Sequence, residues 1–335
     1  MNDTRKRRPT LQDIADLTGV TKMTVSRYLR DPSAVAEGTR ERIAAAVEEL
    51  GYIPNRAPDM LSNATSKAIG ILIPSLSNQV FSAVIHGIEA VTRPAGYQTL
   101  LAHYGYSPER EEEQVASLLS YNVDGLILSD TQHTERTRKM IATAGIPVVE
   151  TMDLPLSPID MVVGMDHRAA ARAMVTEMLR RGRRKVIYLG ARLDVRTQLR
   201  MEGYYQAMAD FGLTGQHLLT EQSSSFTLGG ELLAQAMARF PDLDGLFCTN
   251  DDLAVGALLQ CQARWIPVPQ QVAIAGSNAL DIGHAMTPKL ASIVTPRETI
   301  GREAAIMLLA RLSGQPLATR CKDIGFSLYE GESLG

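Results

Sequence analysis

The sequence predicts an all-α helix-turn-helix headpiece followed by an α/β core of two doubly wound parallel-sheet subdomains. Three observations predict it. Thr10–Leu29 reads as two short helices around a tight turn, and a Pro- and Asn-containing stretch follows Gly51. From Lys67 onward, short apolar strands alternate with longer helices, the rhythm of βαβ units. At 335 residues the chain is long enough for two or three domains with ample core.

In the first stretch, Thr10 followed three residues later by Asp13 forms a capping box with Asp in place of Glu or Gln. Leu11, Ile14, Ala15 and Leu17 are expected to mark one apolar face. Gly19 stands where a turn needs positive φ, and Thr21 can cap a second helix carrying Met23, Thr24, Val25, Ser26 and Arg27. A small residue at Ala15, Gly19 four positions on and β-branched Val25 six further is the spacing of a DNA-reading helix-turn-helix. An ordinary helical hairpin is the competing reading of this segment taken alone. A third helix is expected over Thr39–Leu50, with Ile43, Ala44, Val47 and Leu50 inward and Gly51 ending it.

The formal net charge of −3 argues against a generally cationic nucleic-acid coat, so any DNA contact must use local charge. Arg5, Lys6, Arg7 and Arg8 supply it, with Lys22, Arg27 and Arg30 close by in sequence. Such a run is a solvated tail in isolation and a phosphate clamp beside a DNA-reading helix. After the headpiece, Pro54 breaks the chain, and Asn55 can cap a short helix in which Pro58 falls in the tolerated first turn. A plain disordered tether is the alternative.

In the core, strands are expected at Ala68–Pro74, Gln98–His103, Asp124–Ser129, Ile146–Glu150, Met161–Gly164, Lys185–Gly190, Gly245–Thr249 and Val272–Gly276. Helices are expected at Val80–Arg93, Glu109–Leu119, Glu135–Ala144, His167–Arg181, around Met201–Phe211, Leu232–Phe240 and Leu253–Ala263. About four strands on each side of residue 160 suggest two similar subdomains, with a cleft outside the carboxyl ends of their strands. Cys248, Cys261 and Cys321 form no CxxC pair, as suits a reducing compartment. No signal peptide or long apolar run is present, so a cytoplasmic protein is expected, neither secreted nor membrane-spanning.

The chain resembles the lac/gal repressor family of bacterial transcription regulators over nearly its whole length. The resemblance is carried by Gly19-Val20-Thr21, Thr24-Val25-Ser26-Arg27, Tyr52-Ile53-Pro54-Asn55-Arg56, Asn250–Gly256 and Ala273-Ile274-Ala275-Gly276. It is closest to the gluconate and idonate repressor branch, through VTKMTVSRYLR (20–30), YIPNRAPDMLSNA (52–64), LIPSLSNQVF (72–81), YQTLLAHYGY (97–106), FCTNDDLAVGA (247–257) and VTPRE (294–298).

The resemblance implies a headpiece at 1–52, a hinge linker or hinge helix at 53–66 and a core at 67–335 of the type I periplasmic-binding-protein kind. Its subdomains would be about 67–160 with 295–321, and 161–294 with 322–335. Lys22, Met23 and Arg27 match the positions that read base edges in the major groove, where Arg forks onto guanine and Met meets a thymine methyl. A core role is the other reading of Met23, and Val25 and Leu29 already fill the inward positions. Thr21, Thr24 and Ser26 would serve phosphates and capping. Leu61 matches the residue wedged into the central minor-groove step, flanked by Asn55 and Arg56.

In the cleft, Arg200 matches the family's ligand-clamping arginine, and an arginine suits a carboxylate by its forked donors. Arg196 lies one turn earlier, and Arg192 follows the same strand end. Asn250 matches a residue that bonds sugar hydroxyls, and Asn278 stands where many relatives carry Asp. Ser75, Asn78, Gln79 and Phe81 follow the first strand and should face the cleft, although Phe81 is nearly as good a core aromatic. Asp153 lies at a strand end, and Asp166 reads as a helix cap.

The implied function is repression of sugar-acid uptake or catabolism genes from a palindromic operator. The effector would be gluconate, a ketogluconate, idonate or 6-phosphogluconate. A different sugar, or a corepressor-dependent regulator or activator, is the alternative within the family. Ala36 replaces a Ser that caps the third helix in many relatives. No leucine-heptad tail follows the core, so a homodimer is expected, with Ile300–Leu312 as one candidate contact. The competing class, a metabolite enzyme, would need a nucleophile with its base, a metal cluster or a phosphate loop. The six histidines are scattered without an HxxxH pair, and no GxGxxG or Walker motif follows a strand, so no catalytic residue, metal or cofactor is expected.

Overall fold

The computed structural model describes residues 7–55 and 65–335. The chain divides into two compact units, residues 1–66 and 67–335. The first holds α1 (Leu11–Thr18), α2 (Lys22–Arg30), a 3-10 turn at Pro32–Ala34 and α3 (Glu37–Leu50). The capping box is complete: Thr10 Oγ1 accepts from Asp13 N, and the Asp13 carboxylate accepts from Thr10 N at 2.7 Å. Gly19 turns the chain at φ 67°, and Thr21 caps α2 by accepting from Thr24 N at 3.2 Å.

Ile14, Ala15, Val25, Ile43, Ala46 and Tyr52 form the headpiece core. Leu17, expected inward, is 50% exposed, and Thr18 takes its place. Counting i, i+3, i+4, i+7 from Leu11 gives 14, 15 and 18, so position 17 falls off the buried stripe. For the same reason Ala46, three residues after Ile43, is buried in α3 where Ala44 was expected. Arg42 Nη1 donates to the Thr18 carbonyl at 3.2 Å and so ties α3 to the end of α1. Ala36 occupies the N-cap of α3 without a side-chain hydrogen bond, leaving first-turn N–H groups uncapped by any side chain. Arg56 and Leu61 of the expected hinge, like Arg5 and Lys6, lie outside the described residues.

The second unit is built on two six-stranded sheets. The first comprises β1 (Ala68–Ile73), β2 (Gln98–His103), β3 (Gly125–Leu128), β4 (Val148–Met152), β5 (Met161–Gly164) and β11 (Cys321–Asp323), in the order β11-β5-β4-β3-β1-β2, all parallel. The second comprises β6 (Val186–Ala191), β7 (Gln216–Thr220), β8 (Gly245–Cys248), β9 (Ala273–Ser277), β10 (Ala291–Val294) and β12 (Ser327–Tyr329), in the order β12-β10-β9-β8-β6-β7, with β12 antiparallel to β10.

The helices are α4 (Val80–Thr92), α5 (Pro108–Ser120), α6 (Glu135–Ala144), α7 (His167–Arg180), α8 (Val195–Asp210), α9 (Phe226–Arg239), α10 (Asp251–Ala263), α11 (Asp281–Ala285) and α12 (Arg297–Leu312). Alternation along β1 sends Ile69, Ile71 and Ile73 to the face covered by α4 and α12, and Leu72 to the opposite face. In the second sheet Ile187 and Leu189 point toward α9 and α10, while Val186 and Tyr188 point toward α7 and α8.

Three expectations change. Each sheet has six strands where about four were expected: β7, β11 and β12 are only partly apolar and half-exposed, and β10, although buried, is a four-residue strand half made of Ala291 and Ser292. β5 and β11 pair with the first sheet, so its boundary lies after Gly164, beyond the expected 160/161, and the expected 321/322 break cuts through β11. Finally, the apolar stripe of α12 is spent inside the subunit: Ile300, Ala304, Ala305 and Leu308 are buried, and only Ile306 among its large apolar residues stays exposed. Gly301 and Gly87 make this packing possible. A Cβ on Gly301 would lie 2.0 Å from the Val84 carbonyl oxygen, and one on Gly87 2.1 Å from that of Glu298.

Candidate DNA-reading helix and effector cleft

On α2 the Val25 side chain is buried, while Thr21, Lys22 and Arg27 are exposed and Thr24 and Ser26 are half-buried. Met23 is 75% exposed, so it is no core residue. Lys22, Met23 and Arg27 therefore share an open surface of one short capped helix whose inner side is fixed by Val25. Asn55 is exposed at the edge of the described headpiece.

The cleft of the core lies between the carboxyl ends of the two sheets. Of the residues expected there, it brings together Asn78, Phe81, Arg196, Arg200, Asn250 and Asn278. Ser75 and Gln79 stay out of it. Ser75 Oγ bonds Ser77 Oγ at 3.0 Å within the loop, and Gln79 is exposed at the start of α4. The helix phase explains the split: with α4 beginning at Val80, Phe81 turns inward and Gln79 turns out.

α8 starts at Val195, earlier than the expected Met201 region, because Asp194 caps it by accepting from Thr197 N at 2.8 Å. This places Arg196 and Arg200 one turn apart near the helix start. The two arginines differ sharply. Arg196 forms an ion pair with Asp153 at 2.9 Å and donates to the Ser129 carbonyl. Burial works against charge on both, but Asp153, with Asp130 and Asp194 behind it, outweighs it and raises the pKa of Arg196. Arg196 and His167 in turn overcome burial to hold Asp153 down at about 2.

Arg200 is 5% exposed, and among the described residues no carboxylate pairs with it. It donates to the Thr249 carbonyl at 2.6 Å and to His167 Nδ1 at 3.2 Å, and its Nε is buried without a partner. Burial lowers its pKa. A buried cation with a spare donor lining a cavity favours an anion there. Gly203 sets the position: a Cβ at Gly203 would lie 2.1 Å from the Arg168 carbonyl, so only glycine lets α8 pack this closely on α7.

The other expected residues are partly occupied. Asn250 caps α10 through Leu253 N at 3.2 Å and donates to Ser224 Oγ at 2.7 Å. Asn78 accepts from Val80 N and donates to Tyr106 OH at 3.0 Å. Asn278 accepts from Thr295 at 3.3 Å, and its amide nitrogen bonds no protein group among the described residues, which leaves a donor for a ligand. Phe81 is 2% exposed and does both expected jobs, filling the core while one edge lines the cleft.

The lining also includes Tyr106, Asp194, Thr197, Ser224 and Thr249, which sequence reasoning missed, and Arg192, which it only noted in passing. The Arg192 guanidinium lies 4.1 Å from the centroid of the Tyr106 ring, reaching from the second sheet's side to the first's. Both residues have positive φ, 69° and 61°. The Asp194-x-x-Thr197 cap was a readable signal for part of this set. Tyr106 and Ser224 sit on loops whose path no local pattern fixes. The free space left in the cleft is about 40 Å³, room for a few water molecules.

An exposed helix-turn-helix surface on one unit and a polar, arginine-bearing cleft between two mainly parallel sheets on the other define a ligand-responsive DNA-binding regulator. Residues 10–55 match the family model described as bacterial regulatory proteins, lacI family, and residues 66–322 match that of periplasmic binding proteins and the sugar binding domain of the LacI family. The chain belongs to the LacI family of bacterial transcription regulators. It is 56% identical to the HTH-type transcriptional regulator GntR of Escherichia coli over 98% of this chain and 100% of that protein. It is 51% identical to the E. coli regulator IdnR over 98% and 100%. Among solved structures, a LacI-family regulator from Silicibacter pomeroyi superposes with a TM-score of 0.91 at 34% identity, covering 97% of this chain and 99% of that one. The chain is thus a DNA-binding transcriptional repressor of the gluconate and idonate branch and not an enzyme. Among the described residues, no helix is long and apolar enough to cross a membrane.

Proposed function

We propose that the protein acts in the cytoplasm as a homodimer on a palindromic operator and is released when a sugar acid binds its core. The effector is gluconate, a ketogluconate, idonate or 6-phosphogluconate. The single observation that carries this reading is Arg200, buried in the cleft with an unpartnered Nε and no carboxylate of its own among the described residues. The ligand carboxylate supplies the missing charge, and its hydroxyls meet Asn278, Asn250 and Asn78. Lys22, Met23 and Arg27 read base edges, and Thr21, Thr24 and Ser26 meet phosphates, with Asn55, Arg56 and Leu61 acting at the hinge.

Two headpieces are needed for two half-sites, which favours the dimer. A thermal-shift panel of sugar acids against neutral sugars tests the cleft, because a ligand raises apparent stability in proportion to its affinity. Removal of residues 1–60 should abolish operator binding in a gel shift while calorimetry still detects the effector. Neutral sugars that stabilise the protein as well as the acids do would sink the anionic reading.

A further inference from the structure

His167 opens α7 directly after the chain leaves β5 of the first sheet for the second. Its ring is buried, and Nδ1 lies 3.2 Å from Arg200 Nη2. A guanidinium only donates, so Nδ1 must offer its lone pair and carries no proton. The ring proton then sits on Nε2, which is 3.1 Å from both Asp153 Oδ1 and the Met152 carbonyl oxygen. Asp153 holds Arg196 at 2.9 Å, and Arg196 also donates to the Ser129 carbonyl. Asp153 and Ser129 follow β4 and β3 of the first sheet, whereas both arginines stand one turn apart on α8, which packs on the second. Arg200, His167, Asp153 and Arg196 are therefore linked in a chain of polar contacts across the cleft, with both ends on α8.

We propose that His167, as a neutral imidazole, is the positioning residue of the cleft: it aims Arg200 at an anionic effector and ties that arginine to the Arg196–Asp153 bond that spans the two subdomains. The inference rests on the sugar-acid reading of the cleft. The charged groups facing the ring are Asp153, Arg196 and Arg200. Burial lowers the pKa of His167 and Arg200 lowers it further, against the opposing pull of Asp153. Protonation at Nδ1 removes the acceptor for Arg200 and sets two cations against each other, so acid weakens effector capture.

Two substitutions separate the two bonds. In His167→Asn the amide oxygen takes the place of Nδ1 and keeps the Arg200 contact. In His167→Gln the amide reaches the Nε2 position and leaves Arg200 without its acceptor. With gluconate titrated calorimetrically into the full-length protein, the Asn variant should bind within about threefold of wild type and the Gln variant roughly tenfold more weakly, the size of one charge-assisted hydrogen bond. Because the pKa of His167 is lowered, wild-type affinity should hold down to about pH 6.5 and fall only below it, and that of the Asn variant should not fall there. The imidazole ¹⁵N spectrum of the ligand-free protein, with the His167 signal assigned by its loss in the Asn variant, should show the Nε2–H tautomer at neutral pH. Equal weakening in both variants, or the same pH profile in wild type and Asn variant, overturns the proposal. A ring protonated on Nδ1 or on both nitrogens overturns it without reference to any ligand. If wild type takes up no sugar acid, the effector reading has failed on its own, and the spectrum alone decides the role of His167.

Discussion

The exposed residues of α2 and the lining of the cleft are held in place by opposite means. Lys22, Met23 and Arg27 stand on one nine-residue helix whose own backbone, Thr21 cap and single buried Val25 fix them. Among the described residues, none of the three has a side-chain partner distant in the sequence. In the cleft, Arg200 is held by His167 and Thr249, Arg196 by Asp153 and Ser129, Asn250 by Ser224, and Asn78 by Tyr106. Every one of these partners lies on another element. The reading surface can therefore vary residue by residue, whereas a change in the cleft disturbs a network. Substitutions in the core should be large and coupled, and those in the headpiece smaller and local.

The largest effect is expected just behind the cleft. His133, on the loop after β3, has Nδ1 2.9 Å from Glu111 and Nε2 3.4 Å from Glu150, and all three side chains are buried. Burial disfavours the imidazolium, but the two carboxylates outweigh it and raise the His133 pKa to about 9. Because the folded pKa lies above the unfolded value, this stabilisation is complete below about pH 6.5 and is lost as pH rises through about 9. His133→Ala leaves two carboxylates facing each other without their cation and should cost about 3–5 kcal/mol. Urea unfolding at neutral pH measures it, and the gap between variant and wild type should shrink toward pH 9.5. A gap that stays constant with pH would mean that His133 contributes packing alone.

The same contrast explains what could be read in the sequence. The headpiece signals were local, and the capping box, Gly19 and Thr21 perform as their spacing implies. Leu17 and Ala44 were misplaced only because the apolar stripe was assigned by residue type and not by strict helical phase. In the core, most buried strands were legible as apolar runs, while β7, β11 and β12 at the sheet edges carry too little apolar character and the buried β10 was missed because Ala291 and Ser292 fill half of it. Arg200, Asn250 and Asn278 were named, yet Ser75 and Gln79 were named with them, since which way a loop side chain turns depends on where the next helix begins. The buried chain of contacts through Asp153 and His167 joins residues far apart in the sequence, and no spacing rule encodes such a meeting.

Next in size is Arg200→Ala. It removes a cleft cation that pairs with no carboxylate among the described residues and should weaken sugar-acid binding by about 1.5–3 kcal/mol, as for a hydrogen bond to a charged group. Calorimetry on the full chain checks this, and operator binding without effector should be unchanged. Induction at the normal effector concentration would move the anion site to Arg192. Arg27→Ala is the headpiece counterpart, with an expected loss of about 1–3 kcal/mol in operator affinity and relaxed preference at one base pair. Gel shifts against singly substituted operators read both. A uniform loss across all sequences would make Arg27 a phosphate contact instead.

The smallest expected effect is a gain. Ala36 holds the N-cap position of α3 with φ −56° and ψ 144°, an extended geometry in which a serine hydroxyl can reach the N–H two or three residues on. Thr39 N and Arg40 N already bond the Ala36 carbonyl, so the helix start is formed and lacks only the side-chain acceptor. Ala36→Ser should add about 1 kcal/mol to the headpiece. For a unit of this size that raises its melting temperature by roughly 4–8 °C, which amide signals of the headpiece followed on heating can resolve. The core transition and effector affinity should not move, because the cleft contacts named above are all made within residues 67–335. A shift in effector affinity would show that the two regions are not separable in the way their bonding implies. An unchanged headpiece melting point would instead mean that water already satisfies the first turn of α3.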